Sequence, residues 1–271
     1  MFFEKLNAAV KKNSSFLCIG LDPDPKRIPR GMSVYDFNKA IIDATSDLVC
    51  AYKPNIAFYE AMGDEGLSTL LRTREHVPPH IPVIVDAKRG DIGNTSAAYA
   101  TALFVHYDFD ATTVSPYLGF DSIEPFLQRQ DKGIFILCRT SNPGASDFQS
   151  LMCKYGNREL PLFEVVADKA DKWNKGGNIG LVVGATYPGE LKLVRQAHQD
   201  IPILIPGVGA QGGDLALAVQ YGLNLAGGGI IINSSRQIIF ASEGKDFAEA
   251  ARKAALTLRD EINKYVTRPA K

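Results

Sequence analysis

Short apolar runs rich in valine, isoleucine and phenylalanine recur along the chain, separated by longer stretches in which apolar residues return every three or four positions. The short runs are bounded by glycine, proline, asparagine or aspartate and predict strands, whereas the longer stretches predict amphipathic helices. Eight strands are expected, over residues 16–22, 49–55, 81–88, 111–116, 133–140, 179–186, 201–208 and 226–233. Helices fall between them, for example over 35–48 and 94–105, with a last one of about two dozen residues from Lys245 onward. Strict alternation of strand and helix implies parallel strands. Eight such units predict an α/β fold of the (β/α)8 TIM barrel type, with an open doubly wound sheet as the alternative. With 271 residues, 45% of them hydrophobic, the chain has the core for one barrel, so a single domain over 1–271 is expected.

Two connections break this rhythm. Residues 21–31 are too rich in proline for a helix and predict a loop over the end of the first strand. Residues 141–157, after the fifth strand, are rich in serine, asparagine and glycine and suit either a mobile lid or a plain surface insertion. In a barrel both lie on the face that carries active sites.

Charge narrows the partners. Lysine plus arginine and aspartate plus glutamate are both 30, so no global field favours nucleic acid or an anionic membrane, and any anion site is local. The first residues lack a basic segment leading into a long apolar run, and no 18-residue apolar stretch follows, which predicts a soluble, cytoplasmic protein. Cys18, Cys50, Cys138 and Cys153 show no CxxC spacing and read as free thiols. His76, His80, His106 and His198 have no metal-ligand spacing, and no Ser-His-Asp arrangement is evident.

The chemistry concentrates in residues 83–95, Val-Ile-Val-Asp-Ala-Lys-Arg-Gly-Asp-Ile-Gly-Asn-Thr. Val83–Val85 predict a buried strand, alternation puts Asp86 and Lys88 on one face, and Asp91 follows just beyond. Three charges of alternating sign after an apolar run are costly to bury, so they pair or serve chemistry; a structural ion network fits the spacing equally well. Other strands also end in polar residues: Asp22 on the first, Lys53 and Asn55 on the second, Arg139, Thr140 and Ser141 on the fifth. Ser141 and Asn94 also suit helix N-caps. The glycine-rich turn over 206–214, the glycines at 227–229 and the run Asn233-Ser234-Ser235-Arg236 suggest a phosphate site between the seventh and eighth units, although glycines also serve tight turns.

Asp86-x-Lys88-x-x-Asp91 followed by Ile92 and Thr95, with Ser141-Asn142-Pro143-Gly144, the run from Pro206 to Asp214 and Ser235-Arg236 in the same order, resembles the orotidine 5′-monophosphate decarboxylase family over nearly the whole barrel. The resemblance implies decarboxylation of orotidine 5′-monophosphate to uridine 5′-monophosphate, the last step of de novo pyrimidine synthesis, with no metal and no cofactor. It implies catalytic roles for Lys88, Asp86, Asp91 and Lys53, with Lys88 held between two aspartates and protonating the C6 carbanion. Asp22 and Lys53 would hold ribose hydroxyls, Ser141 rather than Thr140 the pyrimidine amide edge, and Gln211 and Arg236 the phosphate, with Ile92, Pro206 and Ser235 beside the substrate. It also implies a homodimer in which Asp91 and Thr95 reach into the partner's site.

Three rivals share parts of the pattern. A Schiff-base aldolase needs a neutral lysine, which flanking carboxylates oppose. Metal-dependent sugar-phosphate relatives place a glutamate for Mg²⁺ where Lys53 stands, and a cation there repels the metal. A binding module without catalysis is the third, against which the full set of expected catalytic side chains weighs.

Overall fold

All eight expected strands form, and they close into a barrel. The computed structural model describes residues 1–209 and 212–266. The first half comprises helix α1 (Phe2–Asn13), strand β1 (Leu17–Gly20), α2 (Val34–Thr45), β2 (Ala51–Lys53), α3 (Ile56–Glu60), α4 (Gly63–His76), β3 (Ile84–Arg89), α5 (Gly93–Thr101), β4 (Ala111–Val114), α6 (Phe120–Leu127) and β5 (Gly133–Arg139). A hairpin of β6 (Met152–Tyr155) and β7 (Arg158–Pro161) follows, then α7 (Leu162–Trp173), β8 (Ile179–Val183), α8 (Pro188–Ala197), β9 (Ile203–Pro206), α9 (Leu215–Gly222), β10 (Ile230–Ser234), α10 (Arg236–Ile239) and α11 (Phe247–Tyr265).

The main sheet runs in the order β2-β1-β10-β9-β8-β5-β4-β3 with parallel pairing throughout. Parallel bridges Tyr52–Val83 and Asn55–Asp86 join its two ends. This is the (β/α)8 barrel, and the open-sheet alternative falls. Each of the eight strands sends a side chain into one interior cluster: Cys18, Ala51, Ile84, Ala111, Phe135, Val182, Leu204 and Ile231. A larger apolar layer lies between the strands and the helices, as alternation of in and out along each strand requires.

The structure departs from the pattern in three places. Strands end earlier than their apolar runs: Gly207 at φ 90° stops β9, and Gly227 and Gly229, both at φ 76°, delay β10. Helix α1 was not expected; it plugs the lower mouth, with Phe2 and Leu6 in the interior cluster and Lys5 paired to Asp110 at 2.7 Å. The insertion at 141–157 is more regular than its composition suggests, because a short 3-10 turn (Pro143–Asp147) leads into the antiparallel β6–β7 hairpin.

Cys18, Cys50 and Cys138 are buried free thiols. His76 pairs with Asp43, His80 bonds Lys12, and His198 lies near Asp171, so these rings serve the surface. Among the described residues no helix is long and apolar enough to cross a membrane, and no group of His, Cys, Asp or Glu could hold a metal ion.

Candidate active site

A cavity of about 320 Å³ opens at the C-terminal ends of the barrel strands, and the polar strand ends converge on it. Its charged centre is set by β3. The β3–β4 ladder runs Ile84–Ala111 and Val85–Thr112 and resumes only at Arg89–Val114, so the strand bulges between. A bulge bends a strand and re-aims its side chains. Here it puts Lys88 in the left-handed region, at φ 47°, which non-glycine residues seldom adopt.

Asp86 then meets two ammonium groups. Lys53 Nζ donates to its Oδ2 at 2.8 Å and Lys88 Nζ to its Oδ1 at 2.6 Å. Lys53 is buried, while the Lys88 side chain keeps 49% of its exposure and reaches the cavity. Burial alone would push the Asp86 carboxyl up; Lys53 and Lys88 outweigh it and hold it well below the usual carboxylate range. Burial would likewise lower Lys53, but Asp86 and Asp22 overcome it and raise it above the ordinary lysine value. Thr113 completes this group: its Oγ1 accepts from the Lys88 backbone N–H and donates to Asp86 Oδ1, both at 2.9 Å.

Around this centre the walls differ in chemistry. Asp22, in the proline-rich loop after β1, accepts from the Asn55 N–H at 3.1 Å and faces the cavity beside Lys53. Leu137, Val182, Leu204 and Pro206 supply apolar lining to the same cavity. Ser141, and not Thr140, lines the cavity. Thr140 is held at the loop base, its N–H donating to Gln149 Oε1 at 2.8 Å. Arg139 turns outward to Glu190 and stacks on Tyr187. Gly184 permits the close approach of Ser141, whose Cβ would lie 2.7 Å from a side chain there. Neither Ser141 nor Asn94 caps a helix: the residues before the 3-10 turn and α5 are Asn142 and Ile92.

The opposite rim is basic and glycine-rich. Pro206, Gly207, Val208, Ser235 and Arg236 line it. Arg236 is exposed, and among the described residues no carboxylate pairs with it. The glycine turn is tighter than expected: the N–H groups of Gly209, Gly212 and Gly213 donate to carbonyls within the turn itself. Gln211 lies outside the described residues.

Three expected site residues are not brought into the cavity. Asp91, Ile92 and Thr95 sit on the turn into α5 and do not line it. Ile92 is 59% exposed, and Asp91 Oδ1 accepts from the N–H of Ile92. Within one chain Lys88 therefore contacts Asp86 and is not sandwiched between two aspartates, because the turn carries Asp91 outward past the strand end. Conversely, the sequence does not single out Thr113, Leu137, Val182 or Leu204, which line the cavity. Leu137, Val182 and Leu204 look like core in the sequence, and Thr113 sits inside a run read as an ordinary strand. Asn233, which the sequence offered only as a donor near phosphate, is buried in the cavity lining with Oδ1 unpartnered among the described residues.

Such a site can hold a phosphorylated ring compound, with Arg236 at the anionic end and Lys88 as a proton donor at the other. A family model described as orotidine 5′-phosphate decarboxylase / HUMPS family matches residues 15–254. The orotidine 5′-phosphate decarboxylase of Dehalococcoides mccartyi (strain CBDB1) is 55% identical over 264 residues, covering 97% of this chain and 98% of the relative. That of Thermomicrobium roseum is 53% identical over 269 residues, covering 97% and 95%. The solved structure of Leishmania donovani OMP decarboxylase superposes with a TM-score of 0.85 at 41% identity and covers 98% of each chain.

Asp86→Asn leaves buried Lys53 without its ion-pair partner, with only the more distant charge of Asp22 to offset it, and is expected to destabilise the protein by about 3 kcal/mol at pH 7, read by urea denaturation. The folded-state carboxyl is depressed, so its stabilisation is complete above the ordinary aspartate value of 3.8 and is lost as the pH falls below it. The gap between wild type and variant should therefore narrow below about pH 4. A gap that stays constant would mean that the lysines do not stabilise this carboxylate.

Proposed function

The chain belongs to the orotidine 5′-phosphate decarboxylase / HUMPS family and is a decarboxylase that converts orotidine 5′-monophosphate to uridine 5′-monophosphate in pyrimidine synthesis, and we propose that Lys88 is the group that protonates C6. The observation that carries this is the row Lys88–Asp86–Lys53, one ionised carboxylate between two ammonium groups at the cavity. Loss of CO2 from C6 leaves an electron pair in the ring plane, where the ring offers no conventional sink. Charge placed in advance must stabilise it, and an ammonium does so and then supplies the proton.

Asp86 faces the position of the departing carboxylate in this reading. Two like charges 4 Å apart repel by about 4 kcal/mol at an effective dielectric near 20. The wall of Leu137, Val182, Leu204 and Pro206 gives neutral CO2 an apolar place beside that repulsion. Ser141 binds the pyrimidine amide edge, and Asp22 and Lys53 the ribose hydroxyls. Arg236, with Pro206 and Ser235 on the same rim and with Gln211, grips the phosphate. Binding energy from this remote, non-reacting group offsets the cost of organising the site.

The reaction as proposed uses no metal and no cofactor. The Lys53 ammonium, 2.8 Å from Asp86 Oδ2, opposes a divalent cation on that carboxylate. The Asp86 contact to Lys88 likewise opposes the neutral amine of a Schiff-base mechanism. We further propose a homodimer in which Asp91 and Thr95, with Ile92, complete the partner's site. Their position on an outward turn supports this, as do the exposed side chains of Tyr117 and Leu118, which closely follow in the chain on Ser115, the residue packed against Gly90. The buried thiols fit a cytoplasmic location.

The direct test follows the ultraviolet absorbance of orotidine 5′-monophosphate in excess chelator: wild type is expected to turn over and Lys88→Ala to stay at background while still binding uridine 5′-monophosphate. Turnover by the variant would remove Lys88 from the chemistry, and a wild type that needs added Mg²⁺ would remove the metal-free mechanism. Arg236→Ala should weaken uridine 5′-monophosphate about 10- to 100-fold and uridine hardly at all, measured by calorimetry. Equal weakening would move the phosphate elsewhere. Mixing Lys88→Ala with Asp91→Ala subunits should restore roughly a quarter of wild-type turnover, since a two-fold heterodimer holds one intact site. No recovery would put Asp91 in its own subunit's site.

A further inference from the structure

The β3 bulge sets three residues, Asp86, Ala87 and Lys88, opposite a single residue of β4, because pairing leaves the ladder at Val85–Thr112 and returns at Arg89–Val114. That single residue is Thr113, which is 1% exposed. In a regular parallel ladder, backbone N–H groups donate to carbonyls of the neighbouring strand. Lys88, turned to φ 47°, donates instead to the Thr113 hydroxyl oxygen at 2.9 Å. A backbone N–H can only donate, so the one hydroxyl proton is left for Asp86 Oδ1, also at 2.9 Å. Oδ1 in turn receives Lys88 Nζ at 2.6 Å. One hydroxyl thus closes a loop from the Lys88 main chain, through Thr113 and Asp86, to the Lys88 ammonium.

We infer that Thr113 is a positioning residue for the decarboxylation, fixing both ends of Lys88: the main chain by accepting its N–H, the ammonium by orienting Asp86. This rests on the reading of Lys88 as the proton donor. The neighbouring Thr112 provides the contrast. It is equally buried, but its hydroxyl donates to the carbonyls of Val85 and Thr113, and it touches neither Asp86 nor Lys88. Valine at 113 keeps the shape of threonine and removes both hydrogen bonds, freeing the Asp86 carboxylate to rotate and the Lys88 peptide to relax from the left-handed region. Misplacing a reacting group by about 1 Å is enough to cost on the order of 100-fold in rate. Serine restores the hydroxyl without the methyl group.

Steady-state kinetics on Thr113→Val, Thr113→Ser and the control Thr112→Val, beside wild type and with calorimetric binding of uridine 5′-monophosphate, separate the possibilities. The expected result is a fall in kcat of about 10- to 100-fold for Thr113→Val, with product affinity within about threefold of wild type and Thr113→Ser close to wild type in kcat. Thr112→Val should keep the wild-type kcat. A Thr113→Val enzyme with kcat within twofold of wild type, a loss confined to KM, or an equal loss in the serine and valine variants would overturn the assignment. Should valine prevent folding, the comparison passes to Thr113→Cys, whose thiol is a weak donor and acceptor: kcat falling in cysteine and not in serine supports the role, and equal rates reject it. Absence of turnover in wild type itself would instead defeat the underlying reading of Lys88.

Discussion

One carboxylate between two ammonium groups governs this site. Asp86 accepts from Lys53 on one oxygen and from Lys88 and Thr113 on the other, and these donors offset the cost of its charge in a cavity wall. Among these contacts the Lys53–Asp86 pair is the buried one, and removing either of those two leaves a buried ion without its partner, which costs more than the pair contributes. Within this row Lys53 is held inside, and Lys88, half exposed, faces whatever enters the cavity. Charge is therefore in place before the substrate arrives, which is the condition for electrostatic stabilisation of a carbanion-like transition state.

The barrel supplies this arrangement by bringing strand ends together. Asp22 follows β1, Lys53 ends β2, Asp86 and Lys88 lie on β3, and Arg236 follows β10, so residues far apart in the chain share one cavity because all the strands point the same way. At the opposite mouth, α1 seals the interior with Phe2 and Leu6. Buried charge elsewhere has a purely structural use. Arg195, 3% exposed, donates to the carbonyls of Gly222, His198, Gln199, Ile201 and Gly229 and ties loops at the lower end of the barrel. Burial of a charged side chain thus does not identify chemistry by itself; access to the cavity does.

Much of this was legible in the amino-acid sequence. Short apolar runs bounded by turn residues, alternating with stretches whose apolar residues return every three or four positions, determined eight βα units and so the barrel, because the pattern reflects which faces of each element are buried. The polar residues that close those runs named Asp22, Lys53, Asp86, Lys88, Ser141 and Arg236, all of which line the cavity, and the order of the motifs named the family. The tertiary structure decided the rest. The bulge that turns Lys88 to positive φ, the contact of Thr113 with both Lys88 and Asp86, and the use of Leu137, Val182 and Leu204 as cavity wall as well as core all depend on strands paired across long sequence separations. So does the outward placement of Asp91, Ile92 and Thr95, whose site roles came from the family resemblance and not from spacing. Local pattern fixes which side of an element is apolar; which polar atoms then meet is settled by the partners that packing supplies.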